Sequence, residues 1–119
     1  MIRVHRSPRD FARWLAVERA PPAQPADPTL LQGQQAFVRS ACVACHTIRG
    51  TPANGKGGPD LSDFGGRISI GAGAVPNTPG NLGGWIIDSQ SIKPGNLMPP
   101  IQLDAADLQA LIQYLESLR

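Results

Sequence analysis

One pentapeptide constrains this chain more than any other stretch: Cys42-Val43-Ala44-Cys45-His46. Two cysteines three positions apart, followed at once by histidine, form the spacing at which haem c is attached. One helical turn sets both sulfurs on the same side of the chain, at the two vinyl positions. His46 then lies under the iron as proximal ligand. Other uses of these residues fit less well. A Cys42–Cys45 disulfide leaves His46 without a purpose. A zinc site wants a second ligand pair, and the chain has one further histidine, His5, and no further cysteine. A thioredoxin-like motif wants a preceding strand and a βαβ frame, and the sequence pattern offers neither.

Met98 is the expected second axial ligand. The only other methionine is Met1. Met98 sits in Lys93-Pro94-Gly95-Asn96-Leu97-Met98-Pro99-Pro100, a segment stiffened by proline on both sides. A thioether is a weak ligand, so a rigid loop helps by reducing the entropy lost on binding. A core-filling methionine is the bland alternative, but the segment has neither helical nor strand period. His/Met ligation raises the potential of the iron, and a filled sixth position discourages oxygen chemistry. The pair points to an electron carrier.

At 119 residues there is room for one domain, and an aromatic fraction of 5% is thin for its core. Haem would supply the missing apolar mass, so the chain without it is predicted to fold poorly. Net charge is +2, unevenly spread. Residues 1–26 hold five arginines against Asp10 and Glu18, while residues 27–119 hold six basic and seven acidic side chains. Long-range steering by the haem domain should therefore be modest. Nothing in this balance, and no phosphate-binding loop, points to nucleic acid or nucleotide. Neither a Ser/His/Asp set nor a catalytic carboxylate pair can be argued, since helix capping accounts for Asp27, Asp104 and Asp107.

Along the chain, residues 1–6 read as a short strand, and His5 as a surface histidine. Ser7-Pro8 opens a helix over about 8–19 with Phe11, Trp14 and Leu15 on one face. That face needs a cover, in the haem domain or a neighbouring molecule. Ala20–Ala26 is a proline-rich, extended linker and the one clear boundary. Asp27-Pro28 opens a second helix to about Ser40, with Leu30, Gly33, Phe37 and Val38 on its buried side. Residues 47–59 read as loop. Thr78-Pro79 opens a short helix with Leu82, Trp85 and Ile86 inward, weakened by Gly83-Gly84. Asp104 opens the last helix, whose stripe is Leu108, Leu111, Ile112, Leu115 and Leu118, with Tyr114 beside it.

With these residues in view, the chain resembles the class I cytochromes c. More narrowly, it is similar to the cytochrome c domain at the end of subunit II in caa3-type cytochrome c oxidases. The resemblance spans essentially the whole chain. It rests on Cys-Val-Ala-Cys-His-Thr-Ile-Arg-Gly-Thr (42–51), Gly-Pro-Asp-Leu (58–61), Phe-Gly-Gly-Arg (64–67), Val-Pro-Asn-Thr (75–78), Asn-Leu-Gly-Gly-Trp-Ile (81–86) and Lys-Pro-Gly-Asn-Leu-Met-Pro (93–99). It implies an all-α fold of four to five helices around one haem c, bound covalently through Cys42 and Cys45, with little or no sheet. It also implies that the helices beginning at Asp27 and Asp104 cross at Gly33, near Phe37 and Tyr114.

The resemblance further implies roles at the site. His46 and Met98 ligate iron, and the Pro59 carbonyl accepts the other ring hydrogen of His46. Arg67 lies by the haem propionates, Asn77 donates to one, and Asn96 bonds a propionate and holds the ligand loop. Trp85 lies on the Met side, either packing there or donating its indole hydrogen to a propionate. Residues 1–26 would be the remnant of a preceding cupredoxin-like copper domain, with 27–119 the cytochrome domain. Met1 either aligns with the last copper ligand or is an arbitrary start, and no copper should bind here.

The expected function is electron transfer from a respiratory donor, the bc1 or alternative complex or another redox protein, to the oxidase's copper centre. The isolated chain would not be an enzyme. Haem attachment belongs to an export pathway, so the periplasmic face of the bacterial inner membrane is implied. No apolar run near the start suits a signal peptide or a membrane span, so membrane association would come through a longer, anchored parent protein. Two rivals remain: a free-standing periplasmic shuttle, and a haem sensor or peroxidase in which Met98 is displaced.

Overall fold

Each long helix begins where a side-chain oxygen caps the first turn. In this computed structural model, which describes residues 2 and 4–119, α1 spans Pro8–Arg19, α2 Pro28–Arg39, α4 Pro79–Ile92 and α5 Ala105–Ser117. Ser7, Asp27, Thr78 and Asp104 each accept from a backbone amide two or three residues on. This satisfies donors that a helix cannot pair internally. Between α2 and α4 lie α3, a single turn over Cys42–Cys45, and a 3-10 turn at Phe64–Gly66. There is also a two-stranded antiparallel ladder of β1 (Ser69–Ile70) and β2 (Val75–Pro76), with Ile70 opposite Val75. Among the described residues the fold is thus all-α apart from that ladder and isolated bridges from Thr47 to Asn54 and Asp60.

The core is the crossing of α2 on α5. Gly33 makes it possible, because a Cβ there would sit 2.1 Å from the Ala110 carbonyl oxygen and 2.6 Å from Tyr114 Cβ. Phe37, Leu111, Tyr114, Leu115 and Leu118 close around the crossing and are almost fully buried. Two polar ties edge it: Gln32 Nε2 donates to Asp107 (2.9 Å) and Gln34 Nε2 to the Tyr114 hydroxyl (3.3 Å). α4 packs against α5 through Leu82, Ile86 and Gly83, whose missing Cβ leaves room for Ile112 Cδ1. Gly83 therefore serves helix packing. α4 is also longer than its glycines predicted, and it kinks at Asp88 (φ −153°, ψ 80°).

The N-terminal segment departs from expectation. Ile2 and Val4–Arg6 form no strand, and the assignment of Met1 to a copper ligand lies outside the described residues. His5 is not a surface histidine. It folds back over α1, with its ring 5.0 Å from Trp14 and 5.6 Å from Phe11 between centroids. No residue of α1 is buried, and Phe11 stays 47% exposed. The attachment of α1 to the rest is at its C-terminal end. There Arg49 donates to the Glu18 carbonyl (2.6 Å) and the Ala20 carbonyl (3.4 Å). Those carbonyls are ones a helix end leaves unpaired.

Candidate functional site

α2 ends at Ser40, whose extended backbone turns the chain and whose hydroxyl donates to the Phe37 carbonyl (3.0 Å). The chain at once winds into α3, closed by the His46 amide donating to the Cys42 carbonyl (2.9 Å). Both cysteines are free thiols, Cys42 buried and Cys45 exposed. Burial raises the Cys42 pKa above the ordinary thiol value, against the smaller opposing effect of Ser40. The thiol is held neutral.

The following loop wraps over this turn. The Gly58 amide donates to the Cys45 carbonyl (2.6 Å), Gly55 to His46 (3.0 Å) and Leu61 to Thr47 (2.8 Å). His46 Nδ1 lies 2.9 Å from the Pro59 carbonyl oxygen. A carbonyl only accepts, so Nδ1 carries the hydrogen and the Nε2 lone pair is left for a metal. Gly58 lets the loop approach that closely, since a Cβ would lie 2.7 Å from His46 Cε1 and 2.9 Å from Nδ1. Beneath the loop, Asp60 accepts from the Ser62 amide (2.9 Å) and hydroxyl (2.6 Å) and pairs with Arg49 (3.2 Å). Burial pushes the Asp60 pKa up. The Ser62 bonds and the charges of Arg49 and Arg67 outweigh it, and the carboxyl sits below its usual value.

α4 holds Met98. Trp85 donates its indole hydrogen to Met98 Sδ at 3.1 Å. One turn further on, the Ser89 hydroxyl lies 3.0 Å from both the Met98 carbonyl and Asn96 Oδ1. Asn96 Oδ1 also accepts from the Met98 amide (2.8 Å), and its Nδ2 donates to Lys93 (2.8 Å). Gln90 completes the brace through the Asn96 carbonyl (2.7 Å) and the Gly95 amide (3.0 Å).

The sequence-predicted residues fall into two sets. His46 with Pro59, and Met98 with Trp85 and Asn96, are brought together. The single N–H of the Trp85 indole is on the Met98 sulfur. Asn96 likewise turns its side chain into its own loop. Asn77 spends both Nδ2 hydrogens on the Phe64 (3.1 Å) and Arg67 (3.0 Å) carbonyls, leaving Oδ1 buried without a hydrogen-bond partner. Arg67 donates to the Asp60 carbonyl and to Asp63 (3.3 Å). Ser89 and Gln90 escaped the sequence reading. The one available signal was Ser89's place four residues after Trp85, on the same helix face.

The donor set fits haem c. Two unpaired thiols stand one turn apart, an imidazole is oriented through Nδ1, and a thioether is fixed by its own loop. Glycines 57 and 58 put no side chain of their own against Cys45 and His46.

Comparison with known proteins agrees. The family described as cytochrome c matches over residues 30–119. The cytochrome c oxidase subunit 2 of Alkalihalophilus pseudofirmus is 37% identical over 92% of this chain and 32% of its own length. That of Bacillus sp. PS3 is 35% identical over 99% of this chain and 35% of its own. That of Bacillus subtilis is 27% identical over 95% and 33%. The chain spans about a third of the length of the curated relatives it matches. No helix among the described residues is long and apolar enough to cross a membrane. With the Cys42–His46 turn, the His46 and Met98 supports and a family match over residues 30–119, this chain belongs to the cytochrome c family, whose members bind haem c covalently.

Proposed function

We propose that the chain is the electron-transfer domain of a cytochrome c oxidase subunit II, passing electrons from a respiratory donor to the oxidase's copper centre. One observation carries this reading. Similarity to the oxidase subunits continues over 92–99% of the chain, well beyond the cytochrome match at residues 30–119. The extra length includes much of the α1–linker segment, which a free-standing shuttle has no reason to share. Residues 1–26 are then the end of a preceding copper domain, and that domain covers Phe11 and Trp14. The assembly works at the periplasmic face of the inner membrane, and oxygen chemistry belongs to the parent complex.

Haem c, when bound, supplies an iron that exchanges one electron. The protein's task is to hold two ligands still while the charge changes. Pro59 fixes the His46 ring and raises its basicity. Ser89, Asn96 and Gln90 fix the Met98 loop, so little structure need rearrange on reduction, and the same brace opposes a displaceable Met98. Arg49 fastens the linker to the loop that carries Pro59, which sets the distance from the domain before it.

The test uses the purified holoprotein. A weak near-infrared sulfur-to-iron band should be present when oxidised and absent in Met98→Ala. Rapid oxidation of the reduced protein by the parent's copper-containing domain should follow. Fast carbon monoxide binding by the native protein, with no such band, would sink the carrier reading.

A further inference from the structure

The proline-rich linker is bonded to the haem domain along its length. Arg49 commits all three guanidinium nitrogens to this. Nη2 and Nε donate to the Glu18 and Ala20 carbonyls (2.6 and 3.4 Å), while Nη1 is anchored on Asp60 (3.2 Å). The Arg49 amide donates to the Ser62 hydroxyl (2.7 Å), which fixes the arginine's own backbone. Pro21 lies over Gly50, where φ is +81° and a Cβ would stand 3.1 Å from Pro21 Cβ. Gln24 makes the far attachment. Its Nε2 donates to the Gly50 carbonyl (3.3 Å), and its Oε1 accepts from Gln34 Nε2 (3.5 Å), which also donates to the Tyr114 hydroxyl (3.3 Å). These contacts run from the last turn of α1 to the crossing of α2 on α5.

We propose that residues 18–24 are a docked strap, and that Arg49 is the positioning residue that holds α1, with the copper domain it ends, in one pose for electron transfer. The second half rests on the chain being the haem domain of an oxidase subunit II. A flexible linker of this length spreads its ends over ~15 Å, and electron transfer between two centres weakens exponentially with distance. Most poses of a loose tether would be unproductive. Proline restricts the linker before it docks, so little chain entropy is lost and a few exposed bonds suffice. Arginine suits the task because its planar fork aims several donors at once, whereas a lysine ammonium is a point charge on a flexible stem. The electron then leaves through a contact fixed by the fold, with no swing of the haem domain on its tether.

The experiment has two arms. In the reduced holoprotein, nitrogen-15 relaxation compares the amides of α1 with those of α2. Wild type should show one correlation time for both helices. Arg49→Lys keeps the charge and loses the fork, so α1 should tumble faster than α2. Gly50→Ala should act likewise, because its methyl meets Pro21 from a left-handed backbone; Arg49→Lys decides where the alanine protein fails to fold. Helices that tumble separately in wild type overturn the strap, and helices that tumble together in Arg49→Lys overturn the arginine's part in it. The second arm uses the parent subunit with copper bound and follows flash-induced electron transfer from haem to copper. Wild type should give one rate, unchanged by added glycerol. Arg49→Lys should be several-fold slower and slow further with viscosity, at an unchanged midpoint potential. A wild-type rate that depends on viscosity, or a rate untouched in Arg49→Lys, overturns the fixed pose. If no electron reaches copper in wild type, the oxidase reading fails and the pose with it, while the first arm still decides the strap.

Discussion

Replacing Gly33 by alanine sets two effects of opposite sign against each other. In a helix interior, alanine is favoured over glycine by ~1 kcal/mol. Were α2 an isolated surface helix, the variant would be more stable. At the crossing with α5, however, the new methyl would lie 2.1 Å from the Ala110 oxygen, 2.6 Å from its carbonyl carbon and 2.6 Å from Tyr114 Cβ. These are backbone atoms and a Cβ, none of which can move by a rotamer change, so the helices must separate by about 1 Å to restore ordinary contact. Overpacking of this kind costs about 1–3 kcal/mol, sometimes more. Three hard contacts at one site place it near the top of that range. The net expectation is a loss of about 2 kcal/mol, or a Tm lowered by roughly 8–16 °C for a domain of this size. Urea denaturation of the holoprotein, followed by the sulfur-to-iron band and by far-ultraviolet dichroism, measures it. A variant as stable as wild type or more so would mean that α2 and α5 do not meet at Gly33.

Three further outcomes are expected. Ser89→Ala removes a hydroxyl that is 1% exposed and braces both Met98 and Asn96. At ~1.4 kcal/mol, imidazole should then displace Met98 at about tenfold lower concentration, and an unchanged titration would contradict the brace. Asp60 has a folded pKa below its unfolded value of about 3.9. Its contribution to stability is therefore complete above that value and lost as pH falls through the folded one; the acid limb of stability against pH should flatten in Asp60→Asn. Arg49→Gln releases the carbonyls of Glu18 and Ala20. Limited proteolysis within residues 20–26 should become several-fold faster, and equal rates would show that the linker is not fastened there.

How much could be read in advance follows the reach of each interaction. Ser7-Pro8, Asp27-Pro28, Thr78-Pro79 and Asp104 marked the helix starts, because a cap bonds an amide two or three residues along. The spacing of Cys42, Cys45 and His46 was legible for the same reason. Less visible was the kink at Asp88, which the helix adopts while Ser89 and Gln90 are engaged with the Met98 loop. His5 was misplaced because a lone histidine in a polar stretch gives no sign that the chain doubles back over Trp14. Asn77, Trp85 and Asn96 donate to the Phe64 and Arg67 carbonyls, to the Met98 sulfur and to the Lys93 carbonyl, partners that residue type and position alone do not indicate.

The amino-acid order alone determined which residues carry the chemistry and where the helices begin, since both are written in spacings of two to four residues. Tertiary structure decided what each polar group bonds. His46 meets Pro59 and Trp85 meets Met98 across 13 residues, Lys93 meets Gly71 across 22 and Arg49 meets Glu18 across 31. A hydrogen bond must be made within about 3 Å, and sequence distance does not say which of many donors arrives there. Only the crossing of α2 on α5, and the loops it draws together, settles that choice.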